Sequence, residues 1–292
     1  MALTPAAQAR AVGEGDGFLA REFPYTPADF DRVRRLIAAR VGIALNESKQ
    51  NMVYNRLVKR VRALKLASFG EYLRLLDDES HSEWQQFVNA LTTNLSHFFR
   101  EEHHFPVLVE HAKALVEKSG RTSLRVWSAA ASTGEEPYSI AMALCEAFNS
   151  LQPPVAILGT DIDTGVLETA RRGVYPVEKA EPVSAERLKR FFLRGTGSKE
   201  GLVRVRPELG RLVEYHQLNL TEPGWDVKGP FDAVFCRNVM IYFDKPTQHE
   251  VLKRIAAVLA PDGLLFAGHS ESFLHAADLF RPIGKTCYRR AR

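Results

Sequence analysis

RVWSAAASTGEEPYSIA, residues 125–141, reads as a buried strand, a tight turn of small side chains and a helix opened by two carboxylates. The apolar run Leu124 to Trp127 precedes Ser128, Ala129, Ala130, Ala131, Ser132, Thr133 and Gly134, side chains small enough to let a ligand lie against the backbone. Glu135, Glu136 and Pro137 then begin a helix, with acids in the first turn and Pro near the first helical position. A phosphate loop aims bare N–H groups and positive potential at its anion, and a pair of acids works against that. The expected ligand is therefore cationic or neutral at this turn. S-adenosylmethionine, with an ammonium, a sulfonium and no phosphate, suits it better than NAD or ATP. Helical spacing turns Glu135 and Glu136 about 100° apart, so one of them faces the ligand, and spacing does not say which.

Downstream, Val155 to Thr160 is a second apolar run ending at Asp161, where an open α/β sheet offers a carboxylate to ribose hydroxyls. Asp163 reads instead as the cap of a helix over Thr164 to Arg172. Leu212 to Leu218 leads to Asn219, and Phe231 to Cys236 leads to Arg237 and Asn238. Both runs put polar residues at a strand's C-terminal end, where such sheets bind ligands. A helix over 246–259, a Pro261-Asp262-Gly263 turn, a strand from Leu264 to Gly268 and a hairpin around Arg281 to Arg289 complete the pattern. Alternating strands and helices with short connections predict a doubly wound, Rossmann-like α/β domain over 94–292.

The first third reads differently. Residues 1–22 are rich in Ala and Gly without periodicity and are expected to be mobile. Over 23–93 the patterns are helical only, at Asp29 to Val41, Lys49 to Leu66, Phe69 to Leu76 and Ser82 to Thr93, the last a tether between two domains. This predicts a small all-α domain. Between Ser48 and Gly70 there is no acidic residue, while Lys49, Arg56, Lys59, Arg60, Arg62 and Lys65 are basic. Val53, Leu57, Val61 and Leu64 share one side of a helical wheel, so the helix has an apolar seat and a basic outer face. A single sign of charge points to an acidic protein surface rather than to solvent alone. Nucleic acid is disfavoured by the net charge of only +4 and by the lack of interleaved aromatics.

Composition excludes more than it selects. The 292 residues are 45% hydrophobic, ample for a packed core, and no apolar run approaches the roughly twenty residues of a membrane span. The N-terminus lacks a signal-peptide pattern, so a cytoplasmic location is expected. Cys145, Cys236 and Cys287 are far apart without CxxC spacing, which reads as buried thiols. Adjacent His103 and His104 would diverge on a helix, and no metal site is expected.

Five ordered blocks carry a family resemblance: NLSHFFRE (94–101), RVWSAAASTGEEPYSIA (125–141), TDID (160–163), FDAVFCRNVMIYFDK (231–245) and PDGLLFAGHSES (261–272). With these the chain resembles the CheR family of chemotaxis receptor methyltransferases from about residue 25 to its end. The resemblance implies methylation of glutamate side chains on methyl-accepting chemotaxis receptors, with S-adenosylmethionine as donor and S-adenosylhomocysteine as product. It places Asn94, Ser96, Arg100, Glu136, Asp161, Asn219, Leu220, Arg237 and Asn238 around the donor. At Ser96 the family often has Thr, which keeps the hydroxyl. It also implies that the helical domain, with Lys49, Arg56, Lys59, Arg60 and Arg62, faces the receptor's methylation region.

Carboxylate methylation needs no general base, because a glutamate with a pKa near about 4.3 is already ionised at neutral pH. It needs placement. Arg100, with a bidentate fork, and Tyr242, with a hydroxyl on an apolar ring, are the candidates to hold the acceptor glutamate. The plain alternatives are that Arg100 pairs with Glu101 or Glu102 and that Tyr242 packs beside Phe243.

An insertion over about 175–211 exceeds an ordinary connection, and its LRGTGSKEGLVRVR (193–206) reads as a glycine turn between two short strands. The missing GK[ST] ending argues against a phosphate loop. In the family a small β-subdomain sits here and in some members docks a C-terminal receptor peptide by strand addition. Three rivals remain: a serine hydrolase, suggested by GHSES (268–272) but lacking GxSxG in what reads only as a turn; a dehydrogenase, lacking GxGxxG; and a non-catalytic adaptor that binds S-adenosylmethionine. A methyltransferase acting on another substrate is the enzyme alternative.

Overall fold

The computed structural model describes residues 21–291, so the expectation for 1–22 lies outside the described residues except at Arg21 and Glu22. Four helices come first: α1 (Pro27–Val41), α2 (Gln50–Ala63), α3 (Phe69–Leu75) and α4 (Glu83–Leu91). A capping box starts α1, in which the Asp29 N–H donates to the Thr26 side chain while the Thr26 N–H donates to Asp29. Gly42, at φ 71°, ends the helix. Residues at helical spacing, among them Val33 and Ile37 of α1, Val53, Leu57 and Val61 of α2 and Phe87 and Leu91 of α4, meet in one core. Leu64 departs from the expected apolar side and is 37% exposed. The helix ends at Ala63, so Leu64 is a cap and the wheel no longer describes it.

Then follow α5 (His104–Ser119), β1 (Leu124–Ser128), α6 (Glu135–Ala147), β2 (Val155–Asp161), α7 (Thr164–Arg172), β3 (Val174–Pro176), α8 (Ala185–Phe191), β4 (Phe192–Arg194), β5 (Leu202–Val205), α9 (Pro207–Gly210), β6 (Val213–Gln217), β7 (Phe231–Cys236), α10 (Lys245–Val258), β8 (Leu259–Ala267), β9 (Phe280–Gly284) and β10 (Cys287–Arg290). Seven strands form one sheet in the order β6-β2-β1-β7-β8-β10-β9, parallel from β6 to β8 and closed by the antiparallel β9–β10 hairpin. Order reverses between β1 and β7, which makes the crevice outside their C-terminal ends the natural ligand position.

Alternation along the strands fills two cores. Val126, Ala233, Phe235, Leu264 and Phe266 face α5 and α6, whereas Trp127, Val234, Cys236 and Leu265 face α10. Every residue of β7 is buried, as a central parallel strand requires. The last parallel strand begins at Leu259 rather than Leu264, and the expected Pro261-Asp262-Gly263 turn is a kink inside it, where the register with β7 shifts. A Cβ on Gly263 would meet Leu259 and the Phe231 carbonyl at 2.9 Å, so the kink can press against its neighbour only there.

The insertion carries an antiparallel sheet in the order β3-β5-β4, with α8, which the sequence reading did not anticipate, packed beside it. Val203 and Val205 are buried and Arg204 is exposed, the alternation of a strand with one face on the core. The three cysteines are buried and free.

Candidate active site

A cleft of about 340 Å³ opens between the C-terminal ends of the parallel strands and the N-terminal helices. The turn after β1 gives it Ala129, Ala130 and Ser132, α2 and the chain before it give Leu45, Lys49 and Met52, and residues 91–97 close one side. Asn94, Ser96, Arg100, Glu136, Asp161, Asn219, Leu220, Arg237, Asn238 and Tyr242 all line it. Residues separated by almost 150 positions therefore meet in one crevice.

Asp161 ends β2 with its side chain nearly buried. Its Oδ2 accepts the Ser132 N–H at 2.8 Å and its Oδ1 the Asp163 N–H at 3.0 Å, which ties the small-residue turn to the second strand. Burial pushes the carboxyl up to about 6, against the pull of those bonds. Asp163 caps α7 through Oδ1, as its position before a helical pattern predicts. Its Oδ2 accepts Thr92 Oγ1 at 2.8 Å and Asn94 Nδ2 at 2.7 Å, so one acid also anchors the segment crossing the cleft.

Glu136 faces the cleft and Glu135 does not. Gly134 turns the chain into α6 at φ 98°, and a Cβ there would lie 2.9 Å from both Ala170 Cβ and Tyr175 Oη. Pro137 falls at the third helical position rather than near the first, still within the turn that lacks an intrahelical acceptor for its nitrogen. Glu136 accepts Ser128 Oγ at 2.7 Å and Arg237 Nη1 at 2.8 Å. Burial raises its carboxyl and Arg237 opposes the rise. Glu135 points the other way and takes the Thr133 hydroxyl and Lys179.

Arg237 lines the cleft but is almost wholly buried. Its guanidinium, 1% exposed, pairs with Glu136 at 2.8 Å and Glu101 at 3.4 Å and donates to the Arg100 carbonyl. Its charge is thus spent on two acids and is not offered to an anion. Arg100 pairs with neither Glu101 nor Glu102. It gives one N–H to the Leu95 carbonyl at 2.8 Å, and among the described residues no carboxylate lies within ion-pair distance of it. Tyr242 stands half-buried in the turn Met240–Tyr242, beside exposed Ile241. Asn219 spends its amide on the Arg40 carbonyl at 3.0 Å and its oxygen on Thr221, which joins the end of α1 to the loop after β6.

The expected basic face is smaller than its residue list. Arg56 donates to the carbonyls of Leu91 at 3.0 Å and Thr92 at 2.6 Å. Arg60 forks onto Glu83 with two 2.8 Å bonds, and Arg62 pairs with Glu22. Lys49 and Lys59 are exposed and have no ion pair among the described residues. His103 and His104, expected to diverge, sit where α5 begins, and both present Nε2 to Thr286 Oγ1, at 3.3 and 2.8 Å. Burial and Arg237 lower the His104 pKa to about 2, so it is neutral. Among the described residues no three His, Cys, Asp or Glu are grouped to hold a metal ion, and no helix is long and apolar enough to cross a membrane.

The GHSES stretch, expected to be only a turn, supplies Glu271, whose carboxylate reaches beneath Asn238. Glu101 and Glu271 were both missed as site residues although each lies in a quoted block. For Glu271 the signal available was a lone acid among small and apolar residues, which must find a donor when buried; Glu101, between Arg100 and Glu102, carries no such local signal.

Two family models match the chain: "CheR methyltransferase, all-alpha domain" over residues 28–92 and "CheR methyltransferase, SAM binding domain" over 94–289. The chain is 56% identical over 268 residues to Chemotaxis protein methyltransferase 2 of Pseudomonas aeruginosa, covering 92% of this chain and 95% of that protein. It is 54% identical to the Chemotaxis protein methyltransferase of Escherichia coli, covering 89% and 90%, and 50% identical to that of Klebsiella aerogenes, covering 99% and 98%.

Proposed function

The chain belongs to the CheR methyltransferase family, and from that premise we propose that it methylates glutamate side chains of methyl-accepting chemotaxis receptors, using S-adenosylmethionine. The observation that carries this reading is one cleft lined by Asp161 and Glu136 toward the sheet and by Arg100 and Tyr242 toward the mouth. Its lining fits the donor. Carboxylates in the first turn of α6 and at the end of β2 suit an ammonium and ribose hydroxyls, Ala129 and Ala130 leave room against the backbone, and Arg237 is neutralised by acids.

When bound, S-adenosylmethionine supplies a sulfonium-activated methyl group. Asp161 accepts the ribose hydroxyls, Glu136 takes the side facing α6, and Asn94, Ser96, Asn219, Leu220 and Asn238 frame the rest. Arg100, with donors to spare, and the Tyr242 hydroxyl hold the acceptor glutamate in line with the methyl carbon. With the donor bound, a carboxylate oxygen so placed would take the methyl group to give a methyl ester, the C–S electron pair returning to sulfur. Orientation of this kind contributes up to about 7–11 kcal/mol in favourable intramolecular cases. Opposite charges are consumed, so apolar walls such as Leu45, Met52 and Phe243 favour progress by keeping water out.

Exposed Lys49 and Lys59 face the acidic receptor surface, with Arg56, Arg60 and Arg62 shaping the helix that carries them. Edge strand β4, with Leu193 40% exposed, supports docking of a receptor C-terminal peptide by strand addition. The enzyme acts in the cytoplasm, on the receptor's cytoplasmic domain. The deciding experiment is transfer of labelled methyl to a purified receptor cytoplasmic fragment, scored as base-labile volatile label. Label lost when receptor glutamates become alanine is the expected result. Donor binding without label would replace this reading with the adaptor or another substrate.

A further inference from the structure

Glu271 sits just past the last parallel strand, 6% exposed. Its carboxylate accepts four backbone N–H groups, Gly268 at 2.6 Å and Asn238 at 2.9 Å on Oε2, Val239 and Met240 at 2.9 Å each on Oε1. Three of these donors are consecutive, in a stretch between β7 and α10 where no sheet ladder serves them. Asn238 stands at φ 58°, a conformation that costs a non-glycine residue about 1 kcal/mol or more and persists when the surroundings hold it. The approach is so close that a Cβ on Gly268 would fall 2.4 Å from Asn238 Nδ2 and 2.8 Å from Glu271 Oε2.

The hold passes along the chain. Met240 opens the turn that carries Tyr242, and the Tyr242 N–H donates to the carbonyl of Val239 at 3.2 Å. Both residues are thus fixed through one carboxylate. We propose that Glu271 is a positioning residue for methyl transfer, its carboxylate fixing the turn that presents Asn238 to the donor and Tyr242 to the acceptor glutamate. This rests on the donor and acceptor sides assigned above. No side chain other than a carboxylate brings two oxygens, each able to accept two N–H groups, to this spot.

Glu271→Gln replaces one oxygen by an NH2 that faces two N–H donors, whereas Glu271→Asp keeps both oxygens one methylene short. Donor affinity is measured by calorimetry without receptor, and kcat and receptor KM with receptor. For Glu271→Gln, folded well above the assay temperature, kcat falls about tenfold to a hundredfold, as misplacement of the order of an ångström predicts, while receptor KM stays within about twofold. Donor affinity weakens as well, and Glu271→Asp recovers part of both losses. In a Tyr242→Phe background the same substitution costs kcat much less, because the group it positions is already gone; a merely structural loss would multiply in full. Wild-type kcat and donor affinity in folded Glu271→Gln, or full multiplication with Tyr242→Phe, overturns the proposal. If Glu271→Gln does not fold, the same cycle is read with Glu271→Asp under the same criteria. If the wild-type protein transfers no methyl to receptor, the functional reading fails, while the calorimetric arm still decides whether Glu271 holds the donor side.

Discussion

Lowering the pH should weaken donor binding through Asp161, by an amount that follows from its burial. Its carboxyl is pushed up to about 6 by loss of water, although two backbone N–H groups bond it. Its folded pKa therefore lies above the unfolded value near about 3.9, so its contribution to stability is present below that value and is lost as the pH rises through 6. The shift of about two pH units corresponds to about 3 kcal/mol, carried by the free protein at neutral pH. Donor binding runs opposite in sign, because ribose hydroxyls donate to the ionised form. If only that form binds, the apparent Kd rises as one plus ten to the power of (pKa − pH), about 1.1-fold at pH 7, twofold at pH 6 and elevenfold at pH 5. The change from pH 7 to pH 5 is thus about tenfold, or about 1.4 kcal/mol. Calorimetry on wild type and Asp161→Asn across this range provides the test. Burial raises the Glu136 carboxyl as well, but Glu136 and the donor are common to both proteins and cancel in the ratio. The variant should bind more weakly, and its disadvantage should shrink toward low pH. A ratio constant from pH 5 to pH 8 would show that Asp161 holds the turn and does not meet the ribose.

Arg100→Ala should lower kcat by about ten- to a hundredfold, the value of one charge-assisted hydrogen bond, and change donor Kd by less than about tenfold. Equal loss in both would make Arg100 a donor ligand alone. Arg60→Ala leaves Glu83, 4% exposed, with only the Tyr72 hydroxyl at 3.1 Å. It should cost about 2–3 kcal/mol in urea unfolding, at or below the low end of the range of about 3–5 kcal/mol for a broken buried pair because Arg60 is itself partly exposed, with donor Kd unaltered. Lys59→Glu should raise receptor KM about threefold or more at low salt and less at high salt, with donor Kd within about twofold. A salt-independent effect would remove Lys59 from the receptor surface.

The parts of this molecule legible in its sequence are those whose signal is local. The apolar runs of β1, β2 and β7, the acid that ends β2 and the Asp163 cap are each set by a few neighbouring residues, and the expected bounds lie within a residue or two of the observed ones. What stayed hidden are partnerships across the chain: Arg237 with Glu136, Glu271 with Asn238, Arg60 with Glu83. A helical wheel assigns a basic residue to an outer face without knowing what packs there, so Arg56 and Arg60 looked free.

The corrective was partly in the sequence. Glu83, Phe87 and Leu91 fall at i, i+4 and i+8 of α4, so Glu83 lies on the stripe that must be buried. A carboxylate on an apolar stripe needs a cation, because burying it unpaired costs several kcal/mol. The nearest run of cations without acids is α2, which packs on α4. One arginine of that helix was therefore owed to the core, and the half-buried Arg60 is the one that reaches Glu83. A one-signed charged face is thus read correctly only after the acids on neighbouring apolar stripes have been given their partners, and the lysines left over, here Lys49, Lys59 and Lys65, are the residues on which a docking argument rests.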